Sequence, residues 1–143
     1  MKVKQISIFL ENKKGHLLEV VETLANAGVN LRALSIADTS EFGILRIIVP
    51  DPDLAKKALK KGGFTFNEND VIAVGVSDKP GGLASALKVL SENGINVEYL
   101  YAFVTKSEER AVVVFKTEDL DKSIKVLKKA DISILQPKEV YSL

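Results

Sequence analysis

The sequence contains no cysteine and a single histidine, His16, among its 143 residues. Without cysteine there is no disulfide framework, no thiolate metal site and no thiol nucleophile. With one histidine and no nucleophile beside it at a diagnostic spacing, a serine or cysteine triad has no support. An excess of one charge is missing too: 20 basic and 19 acidic side chains leave a net charge of +1. That balance excludes electrostatic capture of nucleic acid or of an anionic membrane as the main theme. No apolar run approaches the roughly 18–20 residues of a membrane span. The start of the chain reads as a strand and carries no secretory signal pattern. A cytoplasmic location is the default.

What is present is a repeat. Glu11-Asn12-Lys13-Lys14-Gly15-His16-Leu17 returns as Ser77-Asp78-Lys79-Pro80-Gly81-Gly82-Leu83, with glycine on glycine at an offset of 81 − 15 = 66. The same offset brings Gly28-Val29-Asn30 onto Gly94-Ile95-Asn96, Leu24 onto Leu90, and Asp53-Leu54 onto Asp119-Leu120. The chain is one module written twice, with expected domains 1–69 and 70–143. Units of this size bury a limited core, so each is expected to lean on the other or on a second chain. No linker separates them, because Asn69-Asp70 leads straight into the second copy.

Each copy has the same order of elements. Val3 to Leu10 alternates as a strand with Ile6, Ile8 and Leu10 on its better-buried face. Leu17, Val20, Val21, Leu24 and Ala25 recur at helical spacing, and Gly28 suits a left-handed helix cap. Strands follow at Asn30–Asp38 and Phe42–Val49. Asp53 is placed to cap a short helix to about Lys61, and a strand at Phe64–Asn67 closes the unit. The second copy reads strand Val71–Val76, helix Gly81–Glu92, strands Asn96–Val104 and Arg110–Phe115, helix Asp119–Lys129 and strand Ser133 to about Val140. The class is α+β: two ferredoxin-like βαββαβ units, each an antiparallel sheet with both helices on one face.

This superfold hosts many functions, so the sites must decide. An acylphosphatase-type enzyme would hold phosphate in the first strand–helix loop with an arginine, and neither loop contains one. A metal chaperone would place two cysteines there. Asp51 and Asp53 in the Pro-Asp-Pro-Asp turn are better read as helix caps than as metal ligands. No catalytic pair assembles, and no metal or cofactor is expected. The repeated loop does have a binding logic. A strand ending in a glycine turn before a helix presents free N–H groups and the positive helix end, which suits a carboxylate. Gly15, Gly81 and Gly82 allow close approach to the backbone. Asn12 offers donor and acceptor, and Asp78 offers an acceptor for an ammonium group. On spacing alone each loop also fits a plain capped turn, and His16 an exposed first-turn residue.

These loops, with Gly-Val-Asn and Gly-Ile-Asn downstream, resemble the ACT domain, a small ligand-sensing module attached to many enzymes of amino-acid metabolism. The likeness covers essentially the whole chain as two tandem copies. The first copy is similar in particular to the serine-sensing ACT domain of phosphoglycerate dehydrogenase. On that resemblance Asn12 and Asn30 take the two effector-holding asparagine roles. Lys14 replaces the usual proline, which Pro80 keeps in the second loop. Leu10 stands where the serine sensor has a histidine, and with His16 it points to an effector side chain larger than serine's. The resemblance implies two units side by side in one eight-stranded sheet. One pocket would combine Asn12, Lys14, Gly15, His16 and Leu17 with residues near Asn96. The other would combine Asp78, Gly81, Gly82 and Leu83 with residues near Asn30.

Tyr99, Tyr101 and Phe103 share one face of their strand, opposite Leu100, Ala102 and Val104. With the aliphatic set on the helices, the aromatic set lies on the open face, and a second chain stacked there is the expected cover. The sequence therefore reads as a stand-alone regulatory module that binds a free L-amino acid, forms at least a homodimer and signals to a partner such as an amino-acid-metabolism enzyme. An RNA-binding module of the same strand order and a ligand-free regulatory subunit are the alternatives.

Overall fold

The computed structural model describes residues 1–104 and 110–143. The chain forms two compact units: an N-terminal unit, Lys4–Asn69, and a C-terminal unit, Asp70–Leu143 together with Met1–Val3. Seven strands and five helices are present among the described residues.

In the N-terminal unit the elements are β1 (Val3–Glu11), α1 (His16–Asn26), β2 (Ala33–Asp38), β3 (Phe42–Ile48), α2 (Pro52–Lys61) and the first part of β4 (Thr65–Ser77). Strand order is β2-β3-β1-β4, the antiparallel split βαβ arrangement. Alternation in β1 sends Ile6, Ile8 and Leu10 into a core with Val20 and Leu24 of α1, Leu45 and Ile47 of β3, and Ala55 and Leu59 of α2. The other face of β1 is also buried at Gln5 and Ser7, where Gln5 Nε2 donates to Ser7 Oγ and Ser7 Oγ donates to Asn69 Oδ1. α1 stops where Gly28, at φ 77°, lets the Gly28 and Val29 N–H groups turn back to the Ala25 and Leu24 carbonyls.

The C-terminal unit repeats the plan with the rest of β4, α3 (Gly82–Glu92), β5 (Val97–Ala102), β6 (Arg110–Thr117), α4 (Leu120–Lys129) and β7 (Ser133–Ile134). β7 pairs with β4, which adjoins β6 and then β5. Its core joins Ile72, Val74 and Val76 to Ala86 and Leu90 of α3, Val113 and Phe115 of β6, and Leu127 of α4. Met1 packs against this core, and Lys2 Nζ pairs with Asp121 at 3.1 Å.

Three expectations need correction. The cap of α2 is Asp51, whose side chain accepts from Leu54 N–H at 3.1 Å, and not Asp53. Proline tolerates the first helical position, so Pro52 lets α2 begin earlier than the repeat register suggests. The caps Asp51 and Asp119 are therefore offset by 119 − 51 = 68 while the first helices keep 82 − 16 = 66. Secondly, the strands expected at Phe64–Asn67 and Val71–Val76 are one strand, β4, because no glycine or proline falls between Gly63 and Gly75 to break it. Thirdly, the last strand ends at Ile134. Pro137 then opens a short helix, α5 (Pro137–Tyr141), with Gln136 N–H donating to Glu139 Oε1 at 3.2 Å, and α5 buries Val140.

β5 pairs Leu100 with Phe115 and Tyr101 with Val114. Phe115 belongs to the core under the helices, so the aromatic residues of β5 take the opposite face. Tyr101 is buried there, at 8% exposure, and Tyr99 and Phe103 are half-buried, whereas Val104 is 68% exposed.

Candidate functional site

In the N-terminal unit the β1–α1 loop is tied down by its own residues. Gly15 takes φ 85° at the start of α1, and no side chain caps the helix. Asn12 N–H donates to Glu41 O at 2.8 Å, and Asn12 Nδ2 donates to Thr39 O at 3.1 Å and reaches Ser40 O at 3.5 Å. The asparagine thus staples the loop to the β2–β3 hairpin. His16 folds back over the end of β1, with Nδ1 accepting from Glu11 N–H at 3.0 Å. Its ring lies 6.4 Å, centroid to centroid, from Phe64.

Beside this loop opens a cavity of about 690 Å³. Its polar lining is Glu11, His16, Asp38, Thr39 and Thr65; its apolar lining is Phe9, Leu10, Ala37, Phe42, Ile44 and Phe64. The Glu11 carboxylate is engaged by Lys13 Nζ at 3.2 Å, and Asp38 is the other acidic residue of the lining. Of the expected residues of this loop only His16 lines the cavity; Asn12, Lys14, Gly15 and Leu17 do not. Asn30 spends its side-chain oxygen on the adjacent Leu31 N–H, at 2.9 Å.

The second loop builds a different site. Gly81 takes φ 89° and Gly82 opens α3, again with no side-chain cap. A side chain at Gly82 would collide with the carbonyl of Ser77, so this glycine is required by the backbone itself. Its cavity, about 570 Å³, is lined by Ser77, Lys79, Pro80, Gly81, Gly82, Ser85, Arg110, Asp131 and Ser133 among others, with no aromatic residue. Arg110 reaches it from β6, where it stands opposite Ser77, and its Nη1 donates to Ser133 Oγ at 2.8 Å. Asp78 and Leu83 do not line it, and Leu83 packs against the core. Asn96 is held through its backbone, its N–H donating to Glu118 Oε1 at 3.0 Å and its carbonyl accepting from Glu118 N–H.

Sequence reasoning missed Arg110, Asp38 and the phenylalanine walls. Each comes from a strand or loop remote in sequence from the glycine turn. Only the register, Ser77 against Arg110 and Phe9 against Ile44, brings them to it. Among the described residues no group of three or more His, Asp or Glu side chains is placed to hold a metal ion. No helix among them is long and apolar enough to cross a membrane.

Two ferredoxin-like units in tandem, each with a glycine turn between its first strand and helix and a cavity beside it, define a duplicated α+β module. The chain belongs to the ACT domain pair family, whose model matches residues 1–143. It is similar to protein BT0572 from Bacteroides thetaiotaomicron, with 45% identity, a TM-score of 0.93, and coverage of 100% of this chain and 98% of that one. The ligand-free regulatory subunit of aspartate kinase from Thermus thermophilus shares the fold, at 19% identity and a TM-score of 0.61, over 89% of this chain and 91% of that one. Aspartokinase of Corynebacterium efficiens is 27% identical over 134 residues, which are 82% of this chain and 31% of that protein. The chain thus spans about a third of the length of that relative.

Proposed function

We propose that this ACT pair is a regulatory module that binds a free L-amino acid in the cavity of the N-terminal unit. It catalyses no reaction itself and signals occupancy to a partner enzyme of amino-acid metabolism. One observation carries the reading: a single cavity is lined by an acidic residue, Asp38, an imidazole, His16, and apolar residues that include Leu10 and Phe64. The carboxylate suits an ammonium and the imidazole can donate to a carboxylate, while the apolar lining receives a side chain. The likeness to an aspartokinase supports a partner of that kind. Signalling follows if the ligand binds one arrangement of the protein better than another.

We also propose a homodimer, and β2 favours one way to make it. It ends the strand order, and on its exposed side Leu34 and Ile36 are 42% and 50% open to water. Thr39 N–H donates to Phe42 O, so alternation turns the backbone groups of Leu34 and Ile36 away from β3 and towards a newcomer. A second β2, antiparallel about Ser35, would set Leu34 against Ile36. The aromatic row Tyr99, Tyr101 and Phe103 is the other candidate surface, with Tyr101 already buried.

A thermal-shift screen against the twenty L-amino acids at millimolar concentration tests the first reading. A ligand at about 100 times its dissociation constant stabilises by roughly 2.7 kcal/mol, enough to move the melting point by several degrees. A flat panel would sink it. Sedimentation at micromolar concentration tests the second: a monomer refutes the dimer, and a dimer lost in Leu34→Asp supports pairing through β2.

A further inference from the structure

We infer that the C-terminal cavity is a second binding site, which takes a small oxyanion, a carboxylate or phosphate group, on the guanidinium of Arg110. The site stands apart from the amino-acid reading of the N-terminal cavity and does not depend on it.

The geometry starts from one face of β4. Gly75 and Ser77 are two residues apart in the strand and share that face. The register sets Ser133 of β7 opposite Gly75 and Arg110 of β6 opposite Ser77, so all four stand on it. Gly75 has no positive φ, and its extended backbone is one that any residue adopts. The space above it is what is taken. A Cβ there would meet Arg110 Nη1 at 3.3 Å, Ser133 Cβ at 3.4 Å and Arg110 Cδ at 3.5 Å. The arginine side chain therefore lies over bare backbone, reaching from β6 across β4 to β7, where Nη1 donates to Ser133 Oγ at 2.8 Å. The guanidinium is half-buried and held in place before any ligand arrives.

A group held in this way calls for an anion. A guanidinium carries five N–H donors. Among the described residues Arg110 gives one of them to a neutral hydroxyl, and no carboxylate is paired with it. An oxyanion supplies the opposite charge and two acceptors that match the planar fork. Ser133 Oγ accepts from Arg110, so its own proton is left to donate to the same oxyanion. Ser77 and Lys79 add an exposed hydroxyl and an exposed ammonium to the lining. Asp131 is the one acidic residue there, and it too is exposed. Arg110 and Lys79 outweigh it, which leaves the lining positive. The N-terminal cavity has the opposite character, with Glu11 and Asp38 and no arginine or lysine, so the two copies are fitted to different ligands.

Titration of the isotope-labelled full chain, followed by amide NMR and calorimetry in low salt, tests this with inorganic phosphate, acetate and succinate as probes. At least one should bind at millimolar concentration, shift the amides of Gly75, Ser77 and Ser133, and weaken as salt is added. Tighter phosphate supports the site as one for a phosphate ester, and tighter succinate or acetate as one for an organic acid. Arg110→Gln should weaken binding at least about tenfold. Gly75→Ala keeps the arginine but pushes its guanidinium off the backbone, and should weaken binding about fivefold. Lys125→Gln makes the same charge change at an exposed position of α4 outside the cavity, and should leave binding unchanged. Equal losses in Lys125→Gln and Arg110→Gln overturn the inference. So does the absence of shifts at those amides with every probe, a result read on the unaltered chain that needs no variant to fold.

Discussion

Gly62 lies against the ring of Phe64: a Cβ there would come within 2.8 Å of Phe64 Cε2. The backbone of Gly62, at φ −76°, is one any residue adopts, so the obstacle to a side chain is packing: the Phe64 ring first, and Thr23 Cγ2 at 3.3 Å. Phe64 in turn forms a wall of the N-terminal cavity beside His16. Gly62→Ala is expected to push the ring aside, cost about 1 kcal/mol and weaken ligand binding. Chemical denaturation and calorimetric titration of the same variant check both effects. A variant that binds normally would mean that Phe64 does not shape the site.

The equivalent of His16 in the second copy is Gly82, and the two loops differ for that reason. In the first loop a side chain fits and folds back over Glu11; in the second the Ser77 carbonyl occupies the space a side chain would need. Gly82→Ala must shift backbone rather than a flexible side chain, so a loss of about 3 kcal/mol is expected. Urea unfolding followed by circular dichroism measures it. A loss below about 0.5 kcal/mol would contradict the geometry of this turn.

Asn12→Ala removes the donors to Thr39 O and Ser40 O while leaving the Asn12 backbone bond to Glu41. The expected cost is about 1 kcal/mol, with faster amide exchange in the β2–β3 hairpin. Unchanged exchange there would remove Asn12 from its stapling role.

Thr117 and Ser123 are fully buried, with their hydroxyl oxygens 2.7 Å apart, and Ser123 Oγ also donates to Asp119 O. Thr117→Val should cost about 1–2 kcal/mol, because it strips a partner from a buried hydroxyl. The Thr117→Val, Ser123→Ala double variant should lose less than the sum of the two single changes, as expected of groups in direct contact. Strict additivity would show that the pair contributes no coupling.

Lys56 is held above the ordinary lysine pKa first by its hydrogen bond to Glu68 and secondly by Asp53, with Nζ at 2.9 Å and 3.4 Å from their carboxylates. A raised folded-state pKa means that this contribution is complete below the unfolded value and fades as pH rises through the folded one. Stability at neutral pH is therefore unaffected by its titration, and any difference between the wild type and Lys56→Met narrows only in strongly alkaline solution. Melting temperatures across an alkaline series check the sign.

The duplication and the helix stops were legible because they rest on local chemistry. Gly28 and Gly94 sit at positive φ just past α1 and α3, where a glycine is wanted. The alternation of Ile6, Ile8 and Leu10 likewise gave the buried face of β1. The cavities were less legible, because their walls are assembled by pairing. Arg110 has no sequence link to the Pro80-Gly81-Gly82 turn, and Phe64 shows itself as a wall only once Gly62 leaves room for its ring. The tail misled for a local reason: Ser133 to Val140 contains enough apolar residues for a strand, yet Pro137 withholds the N–H that a strand interior uses and opens a helix instead.

The copy boundary in the sequence falls inside a strand. β4 runs unbroken through Asn69-Asp70, and Met1–Val3 belong with residues 70–143. Severing the chain at that point would leave one fragment with half a strand and the other without the Met1 packing and the Lys2–Asp121 pair.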